Sequence, residues 1–228
     1  MRSTNPVFRS VINQTYASDT PVTYANVAFK TIFLIAMVAV SAFATIYTGY
    51  VTYGMLIGAF IVGFISVIVG TRSVKLSPYF SVIYALSEGV ILGTVSWMFQ
   101  SVYEGIVPTA LLTTLIVVFI MMLLYSSRII KVSQGFASGI VIALVAVIIM
   151  SFLGIFLPFG TGFYYLIVIA SAVLSTLFLL LDFRNIEYCV ESGTDARYGW
   201  VLSLGLLVTI VWIYIEMLRL LAIFGRRR

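Results

Sequence analysis

The chain has 228 residues, of which 62% are apolar and only 9% charged. A soluble domain is roughly 45–50% apolar and about 25% charged, so a water-soluble globule, or a soluble enzyme on a single anchor, is excluded. The net charge is +5, there is no histidine, and Cys189 is the one cysteine. Histidine-ligated metal sites, serine–histidine triads, cysteine metal clusters and intrachain disulfides are therefore excluded too.

Residues 1–30 are polar and irregular, with Pro6, Pro21, Arg2, Arg9 and Lys30, and read as a cytoplasmic N-terminal tail. Seven apolar runs follow: 31–50, 51–70, 79–99, 106–125, 135–157, 163–183 and 199–224. Each is close to the ~20 residues that cross a ~30 Å hydrocarbon core. Backbone groups in lipid must be paired within the segment, so the runs are helices. The expected fold is an all-α integral membrane protein: a seven-helix membrane domain over 31–225, with a basic C-terminus at 226–228. Turn signals at Gly49–Tyr50, Ser77–Pro78, Tyr103–Gly105 and Pro158–Gly160 separate the runs.

Positive charge alternates between the connections. The tail holds Arg2, Arg9 and Lys30, the second connection Arg72 and Lys75, the fourth Arg128 and Lys131, and the sixth Arg184 and Arg197; the first, third and fifth hold none. The positive-inside rule places the N-terminus in the cytoplasm, explains the basic balance better than nucleic acid does, and makes the bilayer the first partner. Arg226, Arg227 and Arg228 fit that rule only if segment seven dips in and returns, and break it if the segment crosses fully. Gly54, Gly58 and Gly63 of segment two, and Gly135 and Gly139 of segment five, form small faces of the kind that let helices approach closely.

Three acids lie within the runs: Glu88 at mid-depth of segment three, Asp182 closing segment six, and Glu216 in segment seven with Arg219 three residues on. Ionisable groups in a membrane are expensive and mark functional sites by default. With no histidine, pH sensitivity falls to carboxylates. Two acids sharing a low-dielectric site cannot both ionise cheaply, and taking up a proton weakens a bond to an arginine. Arg72 is the nearest candidate latch, with Lys75 and Arg128 as rivals. Paired carboxylates are also oxygen ligands suited to Ca²⁺, so Asp182 and Glu216 are a candidate Ca²⁺ site.

The opening MRSTNPVF, the ALSEGVILG of segment three, the LLLDFRNIE closing segment six and the final GLLVTIVWIYIEMLRLLAIF resemble those of a bacterial member of the Bax inhibitor-1-like, or transmembrane Bax inhibitor motif, family. The resemblance spans nearly the whole chain. It implies six helices around a central, C-terminal seventh, and a pH-sensitive Ca²⁺ leak channel. In that scheme an acid of helix six pairs with an acid of helix seven, and a basic residue of helix two latches the closed state.

Asp182 matches the first acid and Arg72 the latch. For the second acid, the aromatic–aliphatic–acid pattern selects Glu216, whereas distance from the start of segment seven selects Thr209. The pair Asp182–Glu216 is the first choice. It requires residues 199–206 to lie outside the span or segment seven to fold back; in a straight crossing, Glu88 becomes the next acid along the path.

The expected function is therefore a non-enzymatic Ca²⁺ or cation leak in a bacterial inner membrane, gated by Asp182, Glu216 and Glu88, without a resident cofactor. The alternative is a non-enzymatic regulator of a membrane protease or other membrane complex, with a cation/proton exchanger as a third reading.

Overall fold

The computed structural model describes residues 20–49, 52–130, 132–156 and 160–225. Seven helices occupy them: α1 (Tyr24–Thr48), α2 (Tyr53–Arg72), α3 (Ser77–Val102), α4 (Ile106–Ser126), α5 (Gln134–Phe156), α6 (Thr161–Glu191) and α7 (Gly199–Gly225), with a single 3₁₀ turn, Ala196–Tyr198, before the last. All seven are long and apolar enough to cross a membrane. The chain is a multi-pass membrane protein.

Local chemistry sets the helix ends. Thr23 caps α1, its hydroxyl accepting from the Asn26 amide at 3.1 Å, and Gly49 closes it with φ 61°, a backbone that glycine adopts without strain. Thr52 caps α2 in the same way, and a proline in the first turn of α3 needs no amide partner. The cap at Thr23 moves the start of α1 seven residues ahead of the expected Thr31. Lys30, expected in the tail, is thus a helical residue. The charges expected at Arg2, Arg9, Lys131 and Arg226 to Arg228 lie outside the described residues, as do the opening MRSTNPVF and the turn residues Tyr50, Pro158 and Phe159.

Helix α7 is the axis of the bundle. It packs against α1, α2, α3, α4 and α6 and carries the buried residues Leu204, Leu207, Ile213 and Leu218. Buried hydroxyls pin it: Ser203 donates to the Val27 carbonyl of α1 at 3.0 Å, and Tyr214 shares a 2.7 Å hydrogen bond with Ser96 of α3. Such bonds replace water that a bilayer core does not supply. The expected re-entrant alternative is not realised, because α7 is one continuous helix of 27 residues, about 40 Å long at 1.5 Å per residue. Its last residue, Gly225, approaches Tyr103 after α3, at the end opposite to its start.

The tight crossing is α1 on α3, and it is not built from the glycines expected. A Cβ at Gly58 or Gly139 would meet nothing within 4 Å, whereas Gly63, also expected, is buried and faces Ser87 and Tyr84 of α3 at ordinary contact distance. At Gly89 a Cβ would fall 2.6 Å from the Val38 carbonyl oxygen, and at Gly93 2.7 Å from that of Ala42. Gly89 and Gly93 are themselves at GxxxG spacing, and their backbones ride directly on α1. Ser41 seals the crossing by donating to the Leu86 carbonyl at 2.7 Å.

One end of the bundle gathers the basic connections. The segment before α1 pairs with the α6–α7 connection: the Val22 amide donates to Thr194 at 2.7 Å, and the Ala196 amide to Thr20 at 3.0 Å. Lys30 reaches the Ala196 carbonyl at 2.8 Å and sits 5.2 Å from the centre of the Trp200 ring. Gly70, near the end of α2, abuts Leu204, and Arg128, just past α4, pairs with Glu187 of α6. The chain before α1 and the second, fourth and sixth connections therefore share one end, as the charge alternation requires.

Candidate functional site

Helices α6 and α7 run antiparallel and in contact, and each presents one carboxylate to their interface. Asp182 does not close α6. The helix continues nine residues further, to Glu191, because the polar FRNIEYCVE stretch packs its Ile186 and Cys189 into the core. Asp182 therefore sits about 14 Å inside the helix end. Its carboxyl faces the first half of α7, where the Thr209 side chain is the polar group beside it and Gly205 leaves room beside Oδ1; the Thr209 hydroxyl donates to the Gly205 carbonyl at 3.4 Å. The other oxygen, Oδ2, is buried with no partner among the described residues.

Glu216 lies elsewhere on the same interface and in a different chemical setting. It is 2% exposed. Its Oε1 accepts from Ser171 of α6 at 2.7 Å, from the Trp212 indole one turn earlier at 3.2 Å, and from Arg219 at 3.3 Å. Trp212 also donates to the Ser171 hydroxyl at 3.3 Å, which holds the three side chains as a unit. Oε2 is buried without a partner. Arg219 lines a cavity of about 440 Å³ with Tyr103, Tyr164 and Tyr165 at the end away from the basic connections.

The pairing Asp182–Glu216 is thus corrected. Ser171, which binds Glu216, and Asp182 are eleven residues apart on α6, about 16 Å along a straight helix. Thr209, the alternative reached by counting from the start of segment seven, is the residue opposite Asp182. The joint Ca²⁺ site assigned to Asp182 and Glu216 falls with the pairing, since ligands to one Ca²⁺ lie 2.3–2.6 Å from it. Among the described residues no three acids, histidines or cysteines gather as a metal-binding group.

Glu88 is brought to neither acid. It is half-buried in the middle of α3, and its side-chain partner is the Tyr84 phenol one turn earlier. Arg72 is not a latch in this conformation. It is exposed at the last position of α2 and pairs with no acid among the described residues. The ion pair that does tie two helices at this end joins Arg128, after α4, to Glu187 of α6, and the Tyr125 hydroxyl donates to the same carboxylate. Arg128 was a rival for the latch; Glu187 reads from sequence as a solvated loop acid.

Sequence reasoning missed Ser171, Tyr125 and Glu187. Ser171 carries a weak signal, the polar member of the small Ala170-Ser171-Ala172 stretch. Tyr125 and Glu187 carry none: Tyr125 reads as the last residue of segment four, and the apolar run of segment six ends before Glu187.

A family model described as Bax inhibitor 1 like matches residues 5–226, nearly the whole chain. A search of curated proteins finds no match.

Proposed function

The chain belongs to the Bax inhibitor 1 like family, and from that premise we propose that it is a pH-sensitive Ca²⁺ or cation leak channel gated at Asp182. One observation carries the reading: a carboxyl with a buried, unpartnered oxygen placed against the central helix at Thr209. Protonated, Asp182 is neutral and offers a donor that the Thr209 hydroxyl can accept. Ionised, it is a charge with an unsatisfied oxygen in a low-dielectric interface, which is costly unless water or a cation enters. Protonation thus favours a closed α6–α7 contact, and loss of the proton favours a wetted one that admits a cation. Because α7 touches five other helices, a small movement at Thr209 is felt throughout the bundle. No group with the electronics of a catalytic centre is needed, and the protein acts without a resident cofactor.

The gathering of Lys30, Arg72, Arg128, Arg184 and Arg197 towards one end supports a cytoplasmic N-terminus in a bacterial inner membrane. The test is Ca²⁺ uptake by proteoliposomes of purified protein between about pH 6 and pH 8, for wild type and Asp182→Asn. Asparagine keeps the shape and cannot change charge, so the pH dependence of flux is expected to flatten. An Asp182→Asn profile that superimposes on wild type overturns the assignment. Folded wild-type protein with no flux above empty liposomes favours a non-enzymatic partner, such as a regulator of a membrane protease.

A further inference from the structure

We propose that the cleft between α4 and α5 holds an anionic phospholipid, with its phosphate bound by Arg184 and Arg128. The two helices are consecutive, joined by residues 127–133, yet among the described residues they do not pack along each other; α5 leans on α6, and α4 leans on α6 and α7. Both expose apolar side chains, among them Phe119 and Met122 on α4 and Ile142 and Val145 on α5. A space between two spanning helices with α6 behind it has the length and polarity of an acyl chain.

At the mouth of this cleft lies a cavity of about 230 Å³ lined by Tyr125, Arg128, Ile130, Val132, Arg184 and Glu187. It sits where α4 ends, on the side of the basic connections. The one acid is already compensated: Glu187 accepts from both Arg128 and Tyr125. Arg184 makes a single long bond, 3.4 Å to the Ser133 carbonyl, and pairs with no acid among the described residues. The cavity therefore presents one uncompensated guanidinium beside a second that is held in place by its carboxylate. Arg128 is also the one described non-glycine residue with positive φ, 58°, and its side chain reaches Glu187 of α6. Guanidinium forks match phosphate oxygens, and basic pockets between membrane helices bind anionic head groups. The flanking Ile130 and Val132 suit a ligand whose phosphate continues into hydrocarbon.

The inference does not rest on the leak reading. Purified protein in detergent is mixed with phosphatidylglycerol and phosphatidylcholine of matched acyl chains, and retained lipid is counted by native mass spectrometry. One charge near a membrane surface is expected to give wild type about a fivefold preference for phosphatidylglycerol. Arg184→Gln is expected to erase most of it, while Arg184→Lys, and Lys75→Gln on a different connection, keep it. The proposal is overturned if wild type shows no preference, if Arg184→Gln retains it, or if Lys75→Gln loses as much. It is also overturned if inorganic phosphate displaces the lipid completely, which would mark a site for free phosphate. If Arg184→Gln is unfolded by thermal melting, the comparison of Arg184→Lys with Arg128→Lys decides: loss of the preference in both, with folding intact, overturns it.

Discussion

Two carboxylates share the α6–α7 interface, and their surroundings assign them opposite roles. Each keeps one orphaned oxygen; the other oxygen of Glu216 accepts from a hydroxyl, an indole and a guanidinium, whereas that of Asp182 has only Thr209 beside it. A charge held by three donors is fixed in place, and removing it strands the donors. A charge with one donor is poised, because water, a proton or a cation each relieves it. Both are carboxylates on one interface, but Glu216 is fully buried and Asp182 half-buried. What separates a structural acid from a responsive one is how fully its oxygens are satisfied.

The largest expected effect comes from making the poised site more acidic. Thr209→Asp places a second carboxylate against Asp182, and at alkaline pH the fold is expected to lose about 3 kcal/mol or more from two close buried charges. Saturating Ca²⁺, which the new pair can ligate, should restore much of the melting temperature, by the linkage of ligand binding to folding. Melting without Ca²⁺ dependence would show that residue 209 does not face Asp182.

Glu216→Ala comes next. It leaves Ser171, Trp212 and Arg219 without their acceptor and is expected to cost about 2–3 kcal/mol, measured by thermal unfolding in detergent. A loss smaller than that of Asp182→Ala would reverse the comparison.

Asp182→Leu should differ from wild type by at most about 1 kcal/mol, and towards greater stability, since it removes an unsatisfied oxygen. The Thr209 hydroxyl already donates to the Gly205 carbonyl at 3.4 Å and keeps that bond. A large loss in the same melting assay would mean that Asp182 is as satisfied as Glu216.

Arg219→Gln is the mildest, about 0.5 kcal/mol, because the arginine side chain is 46% exposed and its pair with Glu216 is solvent-screened. A cost approaching that of Glu216→Ala would place Arg219, rather than Ser171 and Trp212, as the main holder of the acid.

The seven spans are legible in the sequence because hydrocarbon tolerates few charges and demands internal pairing; every apolar run became one helix. The shared end of the basic connections was legible for the same reason, as charge alternation counts crossings. Asp182 was found by its charge at the end of LFLLL, but its depth was misjudged. An apolar run ends where lipid contact ends, whereas α6 continues on buried Ile186 and Cys189. Of the glycines read as small faces, Gly63 meets α3 but Gly58 and Gly139 meet nothing, while Gly89 and Gly93 at the tight crossing went unread. Identical spacing cannot tell a face that meets a neighbour from one that meets lipid.

The sequence by itself determined the solvent, the helix count and the set of acids, since these follow from residue chemistry against a bilayer. The tertiary structure alone decided which residues meet. Apolar residues suit lipid and protein contact alike, so both α5 and α7 read as spans, although one lies at the edge and the other on the axis. Only the antiparallel register of α6 on α7 sets Thr209 opposite Asp182 and Ser171 opposite Glu216. That register depends on long-range packing of small and large side chains, which no local spacing records.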